Sequence, residues 1–487
     1  MTDIYRLSGY EISYKIKNQE ISVEEYLLSI FERIDYIDTQ INSIISKNFD
    51  SALQKAKKID NKIKNNEKTG NLLGIPIGIK DNIAVSGLKT TCASKMLQDY
   101  VSPYNATVIE SIEKQDAIII CKLNMDEFGM GTSSEFSCYS AIHNPWNTQY
   151  VAGGSSGGSA AVVSSMQVPI SIGSDTGGSI RCPSSFCSVI GMKPTYGTVS
   201  RFGLVSYSNS LEQIGPISRT IKDIVLMLNT MCGNDPNDNT TVNKKFQYKI
   251  NKIDDIISKN YRIGIISNLI DTSDSQVIKI IGEKINMLMD YGFTVQKTSI
   301  KYTDFALASY YIIATAEASS NLSRFDNVRY GFDLNPEGYE WNSYSSHARS
   351  NFGEEVKRRI LTGSFVLSSG YYGKYYLKAQ KIRNMIKQEF NKLFKSFDVL
   401  LLPTMPILPF KIGEKGSKPL EMYNLDIYTI LANLAGIPAI SIPAGFSKEG
   451  LPIGLQLLSN DYEEQKLIDV TTFFEEKDNF IQWTPKI

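Results

Sequence analysis

The strongest constraint on what this chain can fold into is a set of short apolar runs that do not alternate with polar residues. They are "NLLGIPIGIKDNIAV" (71–85), "DAIIICKLN" (116–124), "QVPISIGSD" (167–175), "DVLLLPT" (398–404), "PAISIPAG" (438–445) and "PIGLQLL" (452–458). A strand with one wet face alternates apolar and polar residues, whereas a run apolar at every position needs cover on both faces. The segments between the runs supply that cover. Residues about 20–66 place Ile21, Val23, Leu27, Leu28, Ile30, Phe31 and Ile34, then Ala52, Leu53, Ala56, Ile59 and Ile63, at helical spacing, and Ser22 with Glu25 matches a capping box. "SAAVVSSM" (159–166) reads as a short small-residue helix. The expectation is an α/β chain with a central sheet covered by helices on both faces.

The chain is expected to form a single domain over 1–487. It comprises a helical N-terminal region (1–70), a core (about 71–232), a polar surface excursion (about 233–260, opening with "GNDPNDNTTVNKKFQYKIN") and the remaining core (261–487). Lys+Arg and Asp+Glu are both 51, and no basic stripe stands out, so a nucleic-acid partner is expected to be held through another protein of the same complex. Six cysteines form no C-x-x-C pair and there are two histidines, which argues against zinc and for buried thiols in a reducing compartment. The start resembles no signal peptide and there is no run of 18 apolar residues, so no membrane span and a cytoplasmic location are expected.

Two glycine-serine clusters, "GGSSGGS" (153–159) and "GSDTGGS" (173–179), sit between strand and helix patterns. Neither carries the lysine of a phosphate loop, and the flanking hydrophobic patterns are unlike those of a flexible linker. Gly153–Gly157 fits G-x-S-x-G, but that arrangement needs a histidine base, and the two available are His143 and His347, the latter in a polar stretch. A hydroxyl nucleophile without histidine can use a lysine that is neutral at rest, which requires burial. Lys80, at the end of "GIPIGIK", sits in that kind of apolar context.

Together, "GIPIGIKDN", "GGSSGGSAA" and "GSDTGGSIRCPSSFCSVIGMKPTYG" resemble the amidase signature family of Ser-Ser-Lys amide hydrolases, over about residues 20–460. The resemblance implies the family's mixed sheet, with Lys80 as base, Ser155 as bridging serine behind a cis peptide bond, and Ser179 as nucleophile. It also implies an oxyanion hole from the N–H groups of Thr176, Gly177, Gly178 and Ser179. Further on, "EASSNLSRFDNVRYG" (317–331), "FGEEVKRRILTGSFVLSSGYYGKYYLKAQ" (352–380) and "NLAGIPAISIPAG" (433–445) are similar to the glutamine-hydrolysing components of tRNA-dependent amidotransferases. That resemblance implies glutamine as substrate, with Arg359 (beside Arg358) for its carboxylate, Asp426 for its ammonium and Tyr310 (beside Tyr311) lining the pocket. No metal or cofactor is expected in this chain. ATP and Mg are expected in a tRNA-binding B subunit, with a small C subunit completing a heterotrimer. A stand-alone amidase with a hydrophobic pocket is the alternative.

Overall fold

The computed structural model describes residues 4–328, 331–332, 334–335, 337–415 and 418–487. In the first half the strands are Ile44–Lys47 (β1), Pro76–Lys80 (β2), Ile118–Leu123 (β3), His143–Asn144 (β4), Asn147–Val151 (β5), Ile170–Asp175 (β6), Ile190–Lys193 (β7) and Gln213–Ser218 (β8). Arg262–Ile266 (β9), Thr294–Thr298 (β10), Val399–Pro403 (β11), Ala439–Phe446 (β12) and Pro452–Leu458 (β13) follow. Eleven of them form one sheet in the order β1-β3-β2-β6-β8-β7-β12-β13-β11-β9-β10, and β4 and β5 make a separate hairpin. The sheet is mixed: β2 runs parallel to β3 and β6, and β9 parallel to β10 and β11, while the remaining pairs are antiparallel.

Each non-alternating run becomes a strand. β2, β3, β6, β11 and β13 are buried at every position, as double cover requires. The edge strands differ. β1 ("IISK") and β10 ("TVQKT") are short, partly exposed and carry Lys47 and Lys297, features that discourage pairing with another sheet.

The helical N-terminal region forms, with one interruption. Val23–Ile41 buries a stripe that includes Tyr26, Leu27, Ile30, Ile34, Ile37 and Ile41, and Phe49–Lys64 follows it. Between them the chain enters β1, which the spacing argument misses. Asn42 ends the first helix in the left-handed conformation, and Asp38 accepts the amides of Ser43 and Ile44, turning them toward the edge of β3. At Ser22 half of the expected capping box is made, Ser22 Oγ accepting from Glu25 N at 3.0 Å. The reciprocal box forms one helix earlier, at Ser8 and Glu11. The small-residue helix spans Gly157–Ser164 and is buried on all sides.

The stretch 233–251 has no regular element, yet it is lashed to the body. Asp235 accepts from Thr107 and Ser200, Asp238 accepts from Arg201 N, and Val242 N donates to Gly197 O at 3.0 Å. All six thiols are free. Four are buried, but Cys232 is half-buried and Cys138 exposed, against the expectation that all are interior.

The first helix, Gly9–Lys17, is tied to the sheet side by one carboxylate. Buried Asp223 accepts from Gly9 N (2.9 Å) and Tyr10 N (2.7 Å), two amides of the first turn that lack intrahelical partners. Asp223→Ala is expected to cost about 1–3 kcal/mol. Amide hydrogen exchange in residues 9–17 should accelerate well before that in β2 or β6; uniform loss of protection would show that Asp223 does not act locally.

Candidate active site

Lys80 closes β2 and Asp175 closes its parallel neighbour β6, with Ile79 opposite Ile172, so both chains leave the sheet side by side at one edge. The C-terminal edge of parallel strands is where an α/β sheet opens to ligands. The two glycine-serine clusters meet there. The first runs into the helix Gly157–Ser164, and the second runs from the end of β6 toward the helix Arg181–Phe186. Ser156 N donates to Ser179 O at 3.0 Å, which locks one cluster against the other. The Gly154–Ser155 peptide is cis, as the resemblance implies.

Lys80 is fully buried. Its Nζ is 2.8 Å from Ser155 Oγ, 2.7 Å from Ser156 Oγ and 3.3 Å from Ser174 O. Among the described residues no carboxylate is hydrogen bonded to it. Desolvation of the ammonium brings Lys80 down to about 7, against the opposing pull of the Asp126 and Asp175 charges. A neutral amine near neutral pH is thus available next to a serine hydroxyl. Ser156, the second serine of the cluster, shares the lysine, a role the sequence pattern did not single out.

Lys80, Ser155 (1% exposed) and Ser179 (7%) are all buried, Ser179 the least deeply. Ser155 Oγ and Ser179 Oγ are not hydrogen bonded to one another, and Ser179 Oγ has no partner among the described residues. Of the four amides expected in the oxyanion hole, one is already used. Gly178 N donates to Asp175 Oδ1 at 2.9 Å, because that carboxylate caps the turn it begins. The amides of Thr176, Gly177 and Ser179 have no acceptor among the described residues and remain free to donate. Gly178 adopts φ +124°, and a Cβ there would meet Thr429 Oγ1 at 2.3 Å, so the sharp bend needs glycine twice over.

Asp175 is itself clamped. Arg181 donates to it through Nε (3.0 Å) and Nη2 (2.9 Å), and Asn433 Nδ2 donates at 2.9 Å. Both charges are fully buried. Burial alone would raise the Asp175 carboxyl, but the charge and hydrogen bonds of Arg181 hold it below the usual carboxylate range. Arg181 also reaches Thr429 O, Gln456 Oε1 and Asn433 Oδ1 at 2.6–2.9 Å.

The second group of expected residues forms a charged recess. Arg359, on the helix Glu354–Leu367, is buried; Arg358 is 44% exposed and reaches buried Glu355 from outside, so Arg359 is the inward member. Arg359 Nε donates to Glu355 Oε1 (2.7 Å) and Nη1 to Tyr207 Oη (2.6 Å). The rings of Tyr207, Tyr311 and Tyr423 surround the guanidinium at 5.5, 5.3 and 5.4 Å. Burial works against the Arg359 charge, yet Tyr207, Glu355 and Tyr311 together keep it raised.

Asp426 accepts from Tyr311 Oη (2.6 Å) and Thr132 Oγ1 (2.9 Å), and burial raises it to about 6. Tyr310 Oη abuts Gly177, where a Cβ would stand 2.3 Å away, so Tyr310 touches the oxyanion loop while its neighbour Tyr311 holds Asp426. Tyr207, Thr132, Glu355 and Tyr423 carried no sequence signal, since single polar residues in unrelated segments look alike until the fold gathers them. The histidines serve elsewhere. His143 bonds Thr148 O inside the β4–β5 hairpin, and His347 packs against Tyr339. Arg329 and Tyr330 of the stretch 317–331 lie outside the described residues. Among the described residues no group of three or more His, Cys, Asp or Glu could hold a metal ion.

This arrangement, a desolvated lysine on serine beside a second serine and free amides, is built for acyl transfer from an amide. The Amidase family pattern matches residues 25–468. The chain therefore belongs to the amidase family. Within that family it is 46% identical over 480 residues to the A subunit of the glutamyl-tRNA(Gln) amidotransferase of Thermoanaerobacter pseudethanolicus, covering 98% of each chain. It is 48% identical over 470 residues to a Clostridium acetobutylicum protein of the same name, covering 96% of this chain and 98% of that one. The crystal structure of the Thermotoga maritima counterpart, the A subunit of its glutamyl-tRNA(Gln) amidotransferase, superposes with a TM-score of 0.81 at 37% identity, covering 98% of this chain and 96% of the other. A bacterial aryl acylamidase, 23% identical with a TM-score of 0.84, shares the fold.

Removing Arg181 strands Asp175 without its counter-charge. Arg181→Leu is expected to cost about 3–5 kcal/mol of stability, seen as a lower urea midpoint. A midpoint within error of the parent would show that Asp175 does not depend on the pair.

Proposed function

We propose that this chain is the glutaminase component of a tRNA-dependent amidotransferase. The observation that carries the reading is the link between two assemblies: Thr132 joins Gly154, beside the Lys80–Ser155 pair, to buried Asp426, Tyr311 lies between Asp426 and buried Arg359, and Tyr310 Oη abuts Gly177. A free amino acid needs a cation for its carboxylate and an anion for its ammonium, and a guanidinium suits the first. Among the described residues, Arg359 keeps Nη2 uncommitted after its bonds to Glu355 and Tyr207. Asp426 is fixed by two hydroxyls, which favour its charged form.

In the proposed mechanism neutral Lys80 draws a proton through Ser155 from Ser179, whose hydroxyl must first close the contact to Ser155. Ser179 Oγ attacks the side-chain amide carbon of glutamine. Charge developing on the amide oxygen is met by the N–H groups of Thr176, Gly177 and Ser179. The proton returns through Ser155 to the leaving nitrogen, ammonia departs, and water hydrolyses the acyl-serine to glutamate with Lys80 again as base. The relatives' names, each that of one lettered component of a larger enzyme, support an assembly in which the ammonia is consumed elsewhere. We assign that use to a B subunit that binds Glu-tRNA(Gln) or Asp-tRNA(Asn) and activates its terminal carboxylate with ATP and Mg, with a small C subunit in the same heterotrimer. A cytoplasmic location accords with this role. Among the described residues no helix is long and apolar enough to cross a membrane.

Two outcomes test the reading. Ammonia release by the chain, with and without co-expressed partners, should favour glutamine over a simple aliphatic amide, and Ser179→Ala should abolish it. Arg359→Met or Asp426→Asn should raise the KM for glutamine at least about tenfold. Equal or better turnover of the aliphatic amide would leave a general amidase instead.

The second outcome is a pH profile. Lys80 must be neutral to act as base, so kcat/KM for glutamine should rise with pH through about 7. It should fall more steeply below about 6, where Asp426 gains its proton and loses its charge. Asp426→Asn should remove the steeper part alone; a flat profile from pH 5 to 8 would rule Lys80 out as the base.

A further inference from the structure

The segment Asp126–Ser134 touches both the first glycine-serine cluster and Asp426. Asp126 N donates to Ser155 O (3.2 Å), and Gly154 N donates to Thr132 O (2.7 Å). Ser134 Oγ donates to Gly153 O (2.8 Å), and Thr132 Oγ1 bonds Asp426. These contacts face the relay serine and the ammonium acceptor. Glu127 faces the opposite way. It is 5% exposed and accepts from Ser94 Oγ and, at 2.7 Å, from Gly353 N.

Gly353 is the N-cap of Glu354–Leu367, the helix that carries Arg359, and it offers no side chain to cap its own helix. The approach is close: a Cβ on Gly353 would stand 2.3 Å from Glu127 Oε2. Phe128, the next residue, packs its ring against Phe325 (5.1 Å) and Phe352 (5.6 Å). The start of the Arg359 helix is thereby seated on residues 127 and 128. An α-helix rises about 1.5 Å per residue and behaves as a stiff rod, so a shift at Gly353 is transmitted to Arg359 six positions along. Displacement of a clamp by about 1 Å is enough to weaken productive binding.

We infer that Glu127 is a positioning residue for the α-carboxylate of glutamine: by seating the helix at Gly353 it sets the reach of Arg359 from Ser179. Glu127 acts through Arg359 and makes no contact with the reacting atoms. What the helix uses is an acceptor oxygen. A glutamine at 127 retains one for Gly353 N, and its amide can donate to Ser94 Oγ. The inference rests on the glutamine reading above.

The test uses the full chain with its co-expressed partners and measures ammonia release from glutamine and from an aliphatic primary amide that lacks the α-carboxylate. Glu127→Ala is expected to raise the KM for glutamine about tenfold or more while kcat falls less than about threefold, and to leave kcat/KM for the aliphatic amide within about threefold. Glu127→Gln should return the KM to within about threefold of the parent, as the retained acceptor requires. Gly353→Ala, whose Cβ would stand 2.3 Å from Glu127 Oε2 and so displace that carboxylate from the helix start, should reproduce the KM rise. A parallel loss of kcat on both substrates, a glutamine variant no better than alanine, or an unchanged KM in either alanine variant would overturn the inference. If Arg359→Met leaves glutamine hydrolysis unaltered, the glutamine reading itself has failed, and the inference with it.

Discussion

The buried pair of Asp175 and Arg181 is the interaction on which the site depends. A carboxylate at the end of a central strand would be intolerable unpaired, and its pairing dictates the geometry around it. Asp175 takes the amides of Gly178 and Ile180 on one side and the guanidinium on the other. The loop between them is forced into a tight bend that leaves the remaining amides facing outward. Arg181 spends its other donors on Thr429, Asn433 and Gln456, so the oxyanion loop is bolted to β13 and to the helix Ile430–Ala435. Asp175 is held charged so that the N–H groups around it have fixed directions before any substrate arrives.

Lys80 is governed by the opposite choice. It is as deeply buried as Arg181 but is bonded to hydroxyls and a carbonyl where Arg181 has a carboxylate. Two cations at the same sheet edge thus have opposed fates. Arg181 is committed to a buried ion pair, and burial brings Lys80 down to about 7. In the proposed mechanism that difference lets Lys80 serve as the base while both histidines are engaged elsewhere.

Much of this was legible in the chain itself, for physical reasons. Strands buried on both faces leave an unbroken apolar run, so β2, β3, β6, β11, β12 and β13 could be read directly. β7, β8 and β9 could not: β7 has only four residues, β8 carries Gly215-Pro216 at its middle, and β9 opens on a charged Arg262 and holds Gly264. β1 was hidden because Ile44 and Ile45 continue an apolar pattern that belongs to the helices on either side. Lys80, Ser155 and Ser179 were legible through the three motifs that resemble the amidase signature family, and the fold brings Lys80 and Ser155 into contact. Tyr207, Thr132, Glu355 and Tyr423 were not, because each matters only through a neighbour distant in the chain. The commitment of Gly178 N to Asp175 was equally invisible, since four consecutive amides are chemically alike until the turn is formed.

The span of the Arg181 contacts has a consequence for how the protein is made. Its partners Thr429, Asn433 and Gln456 lie 248, 252 and 275 residues downstream. A nascent chain that has completed Lys80, Ser155 and Ser179 still lacks the groups that make Arg181 satisfied and the oxyanion loop rigid. Closure of contacts so distant in sequence is slow and comes late in folding. The loop between β6 and the helix Arg181–Phe186 therefore gains its full set of anchors only when the C-terminal strands are laid into the sheet. The same link joins distant parts of the chain: a truncation after β11 would leave Arg181 without its acceptors Thr429, Asn433 and Gln456.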